Sequence, residues 1–383
     1  MFKNVPSVSF VKKSHKTHYS NWIEVDLGQF KRNLKIIRKK IGSALYCLPV
    51  KANAYGHGIC EIGKAAQEAG VDYLAVSSLS EGVHLRKSGI YLPILVLGAF
   101  QEEHILEFID YDLEFSISSL FKAELVHHLL EPLGKKARVH LEIETGMNRT
   151  GARSSTARLI YAYMEKSPYF EVKGIYSHLA NSDVQNAPSN YKQQQFFLDA
   201  IQSYPNDLIF HLANSGALIH FPKSYHQMVR PGLLSFGLYT KPLEEGFKNL
   251  KSCFSLKSRV SYFKVVQKDQ GISYGHTHKT SKATRIATIP IGYGDGYRRS
   301  LSNKGEVLIR GKRFPIIGTI CMDQLMVDIG DQEAYVGDEV VLIGAQDNQI
   351  ITLHELAEKM ETIPYEVLTG FNERVPRFYS KAL

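Results

Sequence analysis

The chain has 383 residues, 44% of them hydrophobic and 22% charged. At ~100–200 residues per domain this favours two folded domains and excludes disorder throughout, and no uninterrupted apolar run reaches the ~20 residues of a membrane helix. Lys and Arg exceed Asp and Glu by 46 to 38, yet four of the eight surplus charges are Lys3, Lys12, Lys13 and Lys16, in an acid-free stretch of residues 1–20. The excess therefore reads as a solvated basic extension, with a nucleic-acid surface as the weaker alternative.

That extension does not resemble a targeting signal. Val5 to Val11 is broken by proline and serines, so it lacks the apolar stretch of a secretory peptide, and the segment has no arginine. The four cysteines, Cys47, Cys60, Cys253 and Cys321, are far apart and have no metal-ligand spacing. A reducing cytoplasm and no metal site are expected.

The first predicted element is a helix. Leu27, Phe30, Leu34, Ile37 and Ile41 are spaced 3, 4, 3, 4 and draw one apolar stripe. Asp26 suits its N-cap and Gly42 its C-cap, while Arg38, Lys39 and Lys40 suit the negative end of its dipole. Short apolar runs follow at Leu45–Val50, Tyr73–Ser77, Ile94–Leu97, Leu113–Ile117, Val139–Ile143, Val172–Ser177, Leu208–Leu212 and Met228–Arg230. Helical segments such as Cys60–Ala69, Ser80–Lys87 and Ser189–Gln202 separate most of them. Eight strands alternating with helices predict a closed (β/α)8 barrel. An open doubly wound sheet is the alternative, but no Gly-rich dinucleotide fingerprint follows an early strand.

Past residue 250 the rhythm changes. Val260–Val266, Arg285–Ile291, Val307–Ile309, Met326–Ile329 and Glu339–Ile343 come close together, and only Leu353–Met360 looks helical. The expected organisation is a basic extension (1–20), a barrel (21–247) and a β-rich C-terminal domain (248–383), with the boundary inside Lys241–Lys251.

In such a barrel, catalytic groups stand at the carboxyl ends of the strands. The first strand runs straight into Lys51. There the residue is either a surface lysine snorkelling to water or an amine whose pKa is lowered by desolvation, suited to Schiff-base chemistry.

The stretch Val50–Gly58 resembles the cofactor-lysine signature of alanine racemases, pyridoxal-phosphate enzymes with an eight-stranded barrel and a β-rich C-terminal domain. The resemblance continues through Gly146–Gly151, His178–Ala180, Asn214–Ser215, Arg230–Leu233, Ser273–Gly275, Gly292–Tyr297, Met322–Gln324 and Tyr365–Val367. It covers the chain from about residue 22 onward. It implies that Lys51 carries pyridoxal phosphate and that Tyr55, Ser215, the Gly232 and Leu233 backbone and Tyr365 hold the phosphate. Arg230 would face the pyridine nitrogen. Arginine does not give up its proton, so it would keep that nitrogen unprotonated and the ring a weak electron sink. Related barrel decarboxylases usually carry an acidic residue there. His178 and His211 would support the ring and Arg230, or serve as core histidines.

The resemblance further implies two bases. Lys51 would handle the proton of the D-enantiomer and Tyr274 that of the L-enantiomer, with Tyr274 supplied by the other subunit of a homodimer. Arg149 and the Met322 N–H would fix the substrate carboxylate, Tyr293 would line the entrance, and Asn214 and Asp323 would support the site. Many family members have a carbamylated lysine at the position of Glu142, which already carries a carboxylate, so activity is expected not to depend on bicarbonate. Arg298 stands where proline is common, which puts that loop's shape in question. The expected activity is interconversion of L- and D-alanine, with D-alanine serving peptidoglycan. The alternatives are a racemase of serine or other small amino acids, and a non-catalytic pyridoxal-phosphate-binding protein. Tyr274 and the second domain argue against the last.

Overall fold

The computed structural model describes residues 19–240 and 246–380. The basic extension lies outside them as far as residue 18, as does the 241–245 part of the expected boundary. The described residues form two compact units, one of Asp26–Cys253 and one in which Phe254–Ser380 is joined by residues 19–25.

In the first unit, the helix Leu27–Ile41 follows from its stripe. Leu27, Phe30, Leu34, Ile37 and Ile41 are all buried. The Asp26 carboxylate accepts the Gln29 N–H at 2.8 Å, and Gly42 takes φ +63°, a value that glycine reaches without a Cβ penalty. The barrel strands are β1 (Leu45–Pro49), β2 (Tyr73–Val76), β3 (Ile94–Val96), β4 (Glu114–Ile117), β5 (Ala137–Glu142), β6 (Phe170–Tyr176), β7 (Ile209–His211) and β8 (Met228–Val229). Each neighbouring pair from β1 to β7 is parallel, and β1 also pairs with β8 in the register Leu45 to Met228. Between β7 and β8 the wall is completed by Gln227 N–H to Phe210 O (3.2 Å) and Arg230 N–H to Ala213 O (2.8 Å).

Helices such as Ile59–Glu68, Leu79–Lys87, Leu120–Leu130, Ser154–Lys166 and Pro188–Ile201 return the chain between strands. Strands buried on both faces read as apolar runs, and β2, β3 and β4 are buried along their whole length. The polar residues buried within the strands, Glu114, Ser116, His140, Glu142 and His211, are therefore exceptions that need partners.

The second unit is built on an antiparallel sheet. Its order is Tyr262–Val266, Thr284–Ile289, Leu325–Gly330, Lys312–Ile317, Glu306–Ile309, Glu339–Gln346, Phe254–Arg259, Trp22–Asp26 and Arg377–Ser380. Phe254–Arg259 and Leu325–Gly330 alternate buried and half-buried residues, as expected of a sheet with one covered face. Two sequence expectations are corrected here. The run Val260–Val266 is not one strand: the chain leaves one ladder at Arg259, where the Val260 N–H turns to Asp338 O, and enters another at Tyr262. Leu353–Lys359 is not the only helix, because Pro364–Thr369 forms a second one opened by its proline and too short to show a helical period. Among the described residues, no helix is long and apolar enough to cross a membrane.

Candidate active site

The carboxyl end of β1 passes into a tight left-handed turn. Ala52, Asn53, Ala54 and Tyr55 all hold φ between +52° and +54°, which costs roughly 1–2 kcal/mol per residue. Three hydrogen bonds hold the turn in place. The Ala52 N–H donates to Glu81 Oε1 (2.6 Å), the Ile59 N–H to Asn53 Oδ1 (2.8 Å) and the Ala54 N–H to Val50 O (2.8 Å). Lys51 opens this turn and is half-buried. Burial lowers its pKa, with help from the charges of Arg149 and Arg230 and against the pull of Glu81. The amine is thus shifted toward the free base that a Schiff-base lysine requires.

Tyr55 is buried with its ring 5.5 Å from that of Phe236. Its hydroxyl abuts Gly232, where a Cβ would stand 2.5 Å from Tyr55 Oη. The Ser215 hydroxyl accepts the Leu234 N–H at 3.4 Å. Two hydroxyls thus converge on the start of the 3-10 turn Leu233–Phe236. The first N–H groups of such a turn have no partner inside it and point outward. A dianionic phosphate can be held by such donors without a cationic cage, so these residues fit the phosphate of pyridoxal phosphate. Asn214 caps the next helix, Ser215–His220, by accepting the Ala217 N–H at 3.1 Å.

Arg230 follows β8 and is buried. Its Nη1 donates to His211 Nδ1 (2.5 Å) and His211 O (3.0 Å), and its Nη2 to Ser177 O (2.7 Å) and Leu212 O (3.4 Å). The guanidinium also lies 5.2 Å above the Tyr176 ring. Four of its five N–H donors are engaged in this way, which leaves Nε–H for a ligand. His211 is thus hydrogen-bonded to Arg230, whereas His178 only feels the charge of Arg230. The His178 pKa is pushed down to about 3, first by burial and then by the charges of Arg230, Arg149 and Lys51. Its ring is neutral at working pH, and its carbonyl accepts from Gln193 Nε2 at 2.9 Å.

Glu142 ends β5 as a buried carboxylate. It accepts the Thr150 hydroxyl at 2.9 Å and is also bonded to the Tyr176 hydroxyl. Burial raises its pKa, while both hydrogen bonds and the charges of Arg149 and Arg230 oppose the rise. Arg149 is exposed and reaches Glu142 through its field, not through a hydrogen bond. Its loop is held from below, since the Glu144 carboxylate accepts the N–H groups of Gly146 and Asn148.

In the strand-rich unit, Tyr274 is 72% exposed on a turn flanked by Ser273 (φ +62°) and Gly275 (φ +69°). The turn is pinned by Thr319 Oγ1 donating to Tyr274 O (2.9 Å) and by Ser273 Oγ donating to Thr319 O (2.5 Å). Tyr274 lines a cavity of about 840 Å3 together with Ser273, Gly275, His276 and Cys321. Tyr293 and Met322 are also exposed and belong to two loops zipped together by Tyr293 N–H to Cys321 O (3.1 Å) and Gly294 N–H to Met322 O (2.8 Å). Gly292 permits this approach, because a Cβ there would stand 2.2 Å from Cys321 O. Arg374 ties both loops down through Asp323 (2.7 Å) and Asp295 (3.2 Å). Arg298 reaches toward Gly370, and Tyr365 lies on the helix Pro364–Thr369.

The sequence reading did not single out Glu81, Tyr176 or Ser177, nor the buried pair Glu114 and His140. The last two carried a signal, a charged or polar residue inside an otherwise apolar strand run. Glu81 and Ser177 act through backbone contacts that leave no mark in a motif.

Comparison with known proteins agrees with these observations. The family model "Alanine racemase, N-terminal domain" matches residues 25–240, and "Alanine racemase, C-terminal domain" matches residues 253–379. The chain is 39% identical to alanine racemase 2 of Caldanaerobacter subterraneus over 93% of its length and 94% of that protein. It is 40% identical to the alanine racemase of Methanococcus maripaludis over 94% and 98% of the two chains. Among solved structures it resembles the alanine racemase of Clostridium difficile 630 (TM-score 0.88, 35% identity, 94% and 96% covered). It also resembles that of D-cycloserine-producing Streptomyces lavendulae (TM-score 0.90, 31% identity, 95% and 98% covered).

Proposed function

The chain belongs to the alanine racemase family and is an amino-acid isomerase, and on that premise we propose that it interconverts L-alanine and D-alanine with pyridoxal phosphate, using Lys51 and Tyr274 as two bases on opposite faces of the substrate Cα. The observation that supports this best is at the barrel mouth, where an amine shifted toward its free base opens the same left-handed turn that ends in Tyr55, whose hydroxyl abuts Gly232. Pyridoxal phosphate, when bound, supplies an electron sink that makes the Cα proton of an amino acid acidic.

Lys51 Nζ would carry that group and exchange a proton on one face, and Tyr274 Oη would do so on the other. Each turnover takes one proton from Cα and returns one. The two bases therefore end with exchanged protonation, and each must trade its proton with solvent before the next turnover in the same direction. Tyr55, Ser215, the Gly232 and Leu233 N–H groups and Tyr365 would hold the phosphate. Arg230 Nε–H would donate to the ring nitrogen and, having no lone pair to accept with, would keep it unprotonated. Arg149 and the Met322 N–H would fix the substrate carboxylate, and Tyr293 would narrow the entrance. Tyr274 would come from a second copy of the chain in a homodimer. The enzyme would act in the cytoplasm and supply D-alanine for peptidoglycan.

The test incubates purified protein with L-alanine, and with L-serine in parallel, and measures the D-enantiomers. Lys51→Ala should abolish both turnover and the visible absorbance of the bound cofactor. Tyr274→Phe should cut turnover with cofactor still bound, and an unchanged rate would refute the two-base assignment. Equal turnover of serine would replace alanine by small amino acids as the substrate class.

A further inference from the structure

Arg230 is the last member of a buried chain that climbs through the barrel. Glu114 is the first residue of β4, His140 lies on β5, His211 ends β7 and Arg230 follows β8. None of the four is more than 3% exposed. Arg230 Nη1 meets His211 Nδ1 at 2.5 Å, His211 Nε2 meets His140 Nδ1 at 2.9 Å, and His140 Nε2 meets Glu114 Oε2 at 2.9 Å. The Glu114 carboxylate is backed by Arg138, whose Nε stands 3.8 Å from Oε1.

One arrangement of protons satisfies every link. Arginine only donates, so His211 Nδ1 must offer its lone pair and His211 must carry its proton on Nε2. That proton faces His140 Nδ1, which must then also accept. His140 is left with its proton on Nε2, donating to the carboxylate. An imidazolium at either position would set two protons against each other inside the chain. Both histidines are therefore neutral, and the guanidinium and carboxylate charges are balanced through them. Burial and the charge of Arg230 also push the His211 pKa well down. The packing reserves the place for this relay. A Cβ on Gly174 would stand 2.7 Å from His140 Nδ1, and the Tyr176 ring stacks on His211 at 4.8 Å.

We propose that Glu114 and His140 are positioning residues for Arg230, fixing His211 as its acceptor so that the guanidinium presents Nε–H in one orientation to the ring nitrogen of the cofactor. This rests on the reading of Arg230 given above. Without His140, His211 Nε2–H loses its buried acceptor, the imidazole gains freedom to turn, and the Nη1 contact that orients the guanidinium loosens.

The experiment uses the protein carrying pyridoxal phosphate, with 15N-labelled histidine. In the wild type, His211 and His140 should each show one pyridine-like nitrogen at Nδ1 and one protonated nitrogen at Nε2. His140→Leu should shift the visible band of the bound cofactor and lower kcat by roughly tenfold or more, with little change in KM. Glu114→Leu leaves His140 Nε2–H without an acceptor and should shift the band in the same direction as His140→Leu; an unchanged band and kcat in Glu114→Leu would remove Glu114 from the relay. A wild-type His211 protonated at Nδ1, or an imidazolium at either position, overturns the relay. So does a His140→Leu variant that loses thermal stability but keeps the wild-type band and kcat, which is the result for a merely structural histidine. If His140→Leu does not fold, the wild-type nitrogen signals decide the matter. A wild-type protein with no cofactor band and no racemase activity would sink the functional reading, while the nitrogen signals, also measurable on cofactor-free protein, would still judge the relay.

Discussion

His178 offers the sharpest electrostatic test of the barrel mouth. Its imidazole is taken from an ordinary 6.5 to about 3 by burial, with Arg230, Arg149 and Lys51 adding positive charge around it. At about 1.4 kcal/mol for each tenfold change in proton affinity, the folded protein disfavours the charged ring by roughly 5 kcal/mol. The sign follows from proton counting. Above pH 6.5 the ring is neutral in both folded and unfolded chains and contributes nothing to the slope. As pH falls below that value, the unfolded chain takes up a proton that the folded chain refuses. Stability is therefore lost steadily from pH 6.5 down to about 3, and the loss attributable to this one ring is about 2.7 kcal/mol by pH ~4.5. His178→Gln cannot titrate and should lack that loss. The assay is denaturant unfolding of cofactor-free wild type and variant between about pH 4 and 7.5, so that only the chain's own charges act on the ring. The difference between the two curves should be flat near neutrality and bend in favour of the variant as pH falls. Parallel curves would refute the reasoning, as would an NMR titration of His178 with an ordinary midpoint.

Glu142 supplies its carboxylate covalently, so removing CO2 and adding bicarbonate should leave the rate unchanged; loss of activity restored by bicarbonate would sink this idea. Glu142→Gln keeps the acceptor for Thr150 but removes the negative field at Arg149, and kcat/KM for alanine should fall by roughly tenfold. Gly232→Ala would place a methyl group 2.5 Å from Tyr55 Oη, and the ring cannot retreat freely because Phe236 stands behind it. Cofactor affinity measured by equilibrium dialysis should drop about tenfold or more, a loss of about 1.4 kcal/mol; an unchanged affinity would show that the cradle lies elsewhere.

Local chemistry along the chain determined a good deal. The stripe from Leu27 to Ile41, capped by Asp26 and Gly42, specifies its helix without reference to anything distant. The apolar runs from Leu45 to Val229 specify strands buried on both faces, because a parallel barrel has helices outside and packed side chains within. Lys51 was placed by the run that precedes it, and the residues near Arg149, Arg230, Tyr274 and Met322 by their motifs. The rest depended on pairing between distant segments. Trp22–Asp26 becomes a strand because Trp22 faces Lys257 across a ladder, a partner more than two hundred residues away. Glu114, His140, His211 and Arg230 lie far apart in the sequence, and nothing in it says that they meet. Only the parallel register, which sets Ser116 beside His140 and Tyr176 beside His211, brings them into one line. Burial then forces each polar atom to find a partner, because an unpaired one costs about 1–3 kcal/mol in the core. The sequence by itself determined which barrel segments are strands and that Lys51 follows the first of them. The tertiary structure decided which buried polar groups meet, because that depends on the register between strands and not on any local preference of the chain.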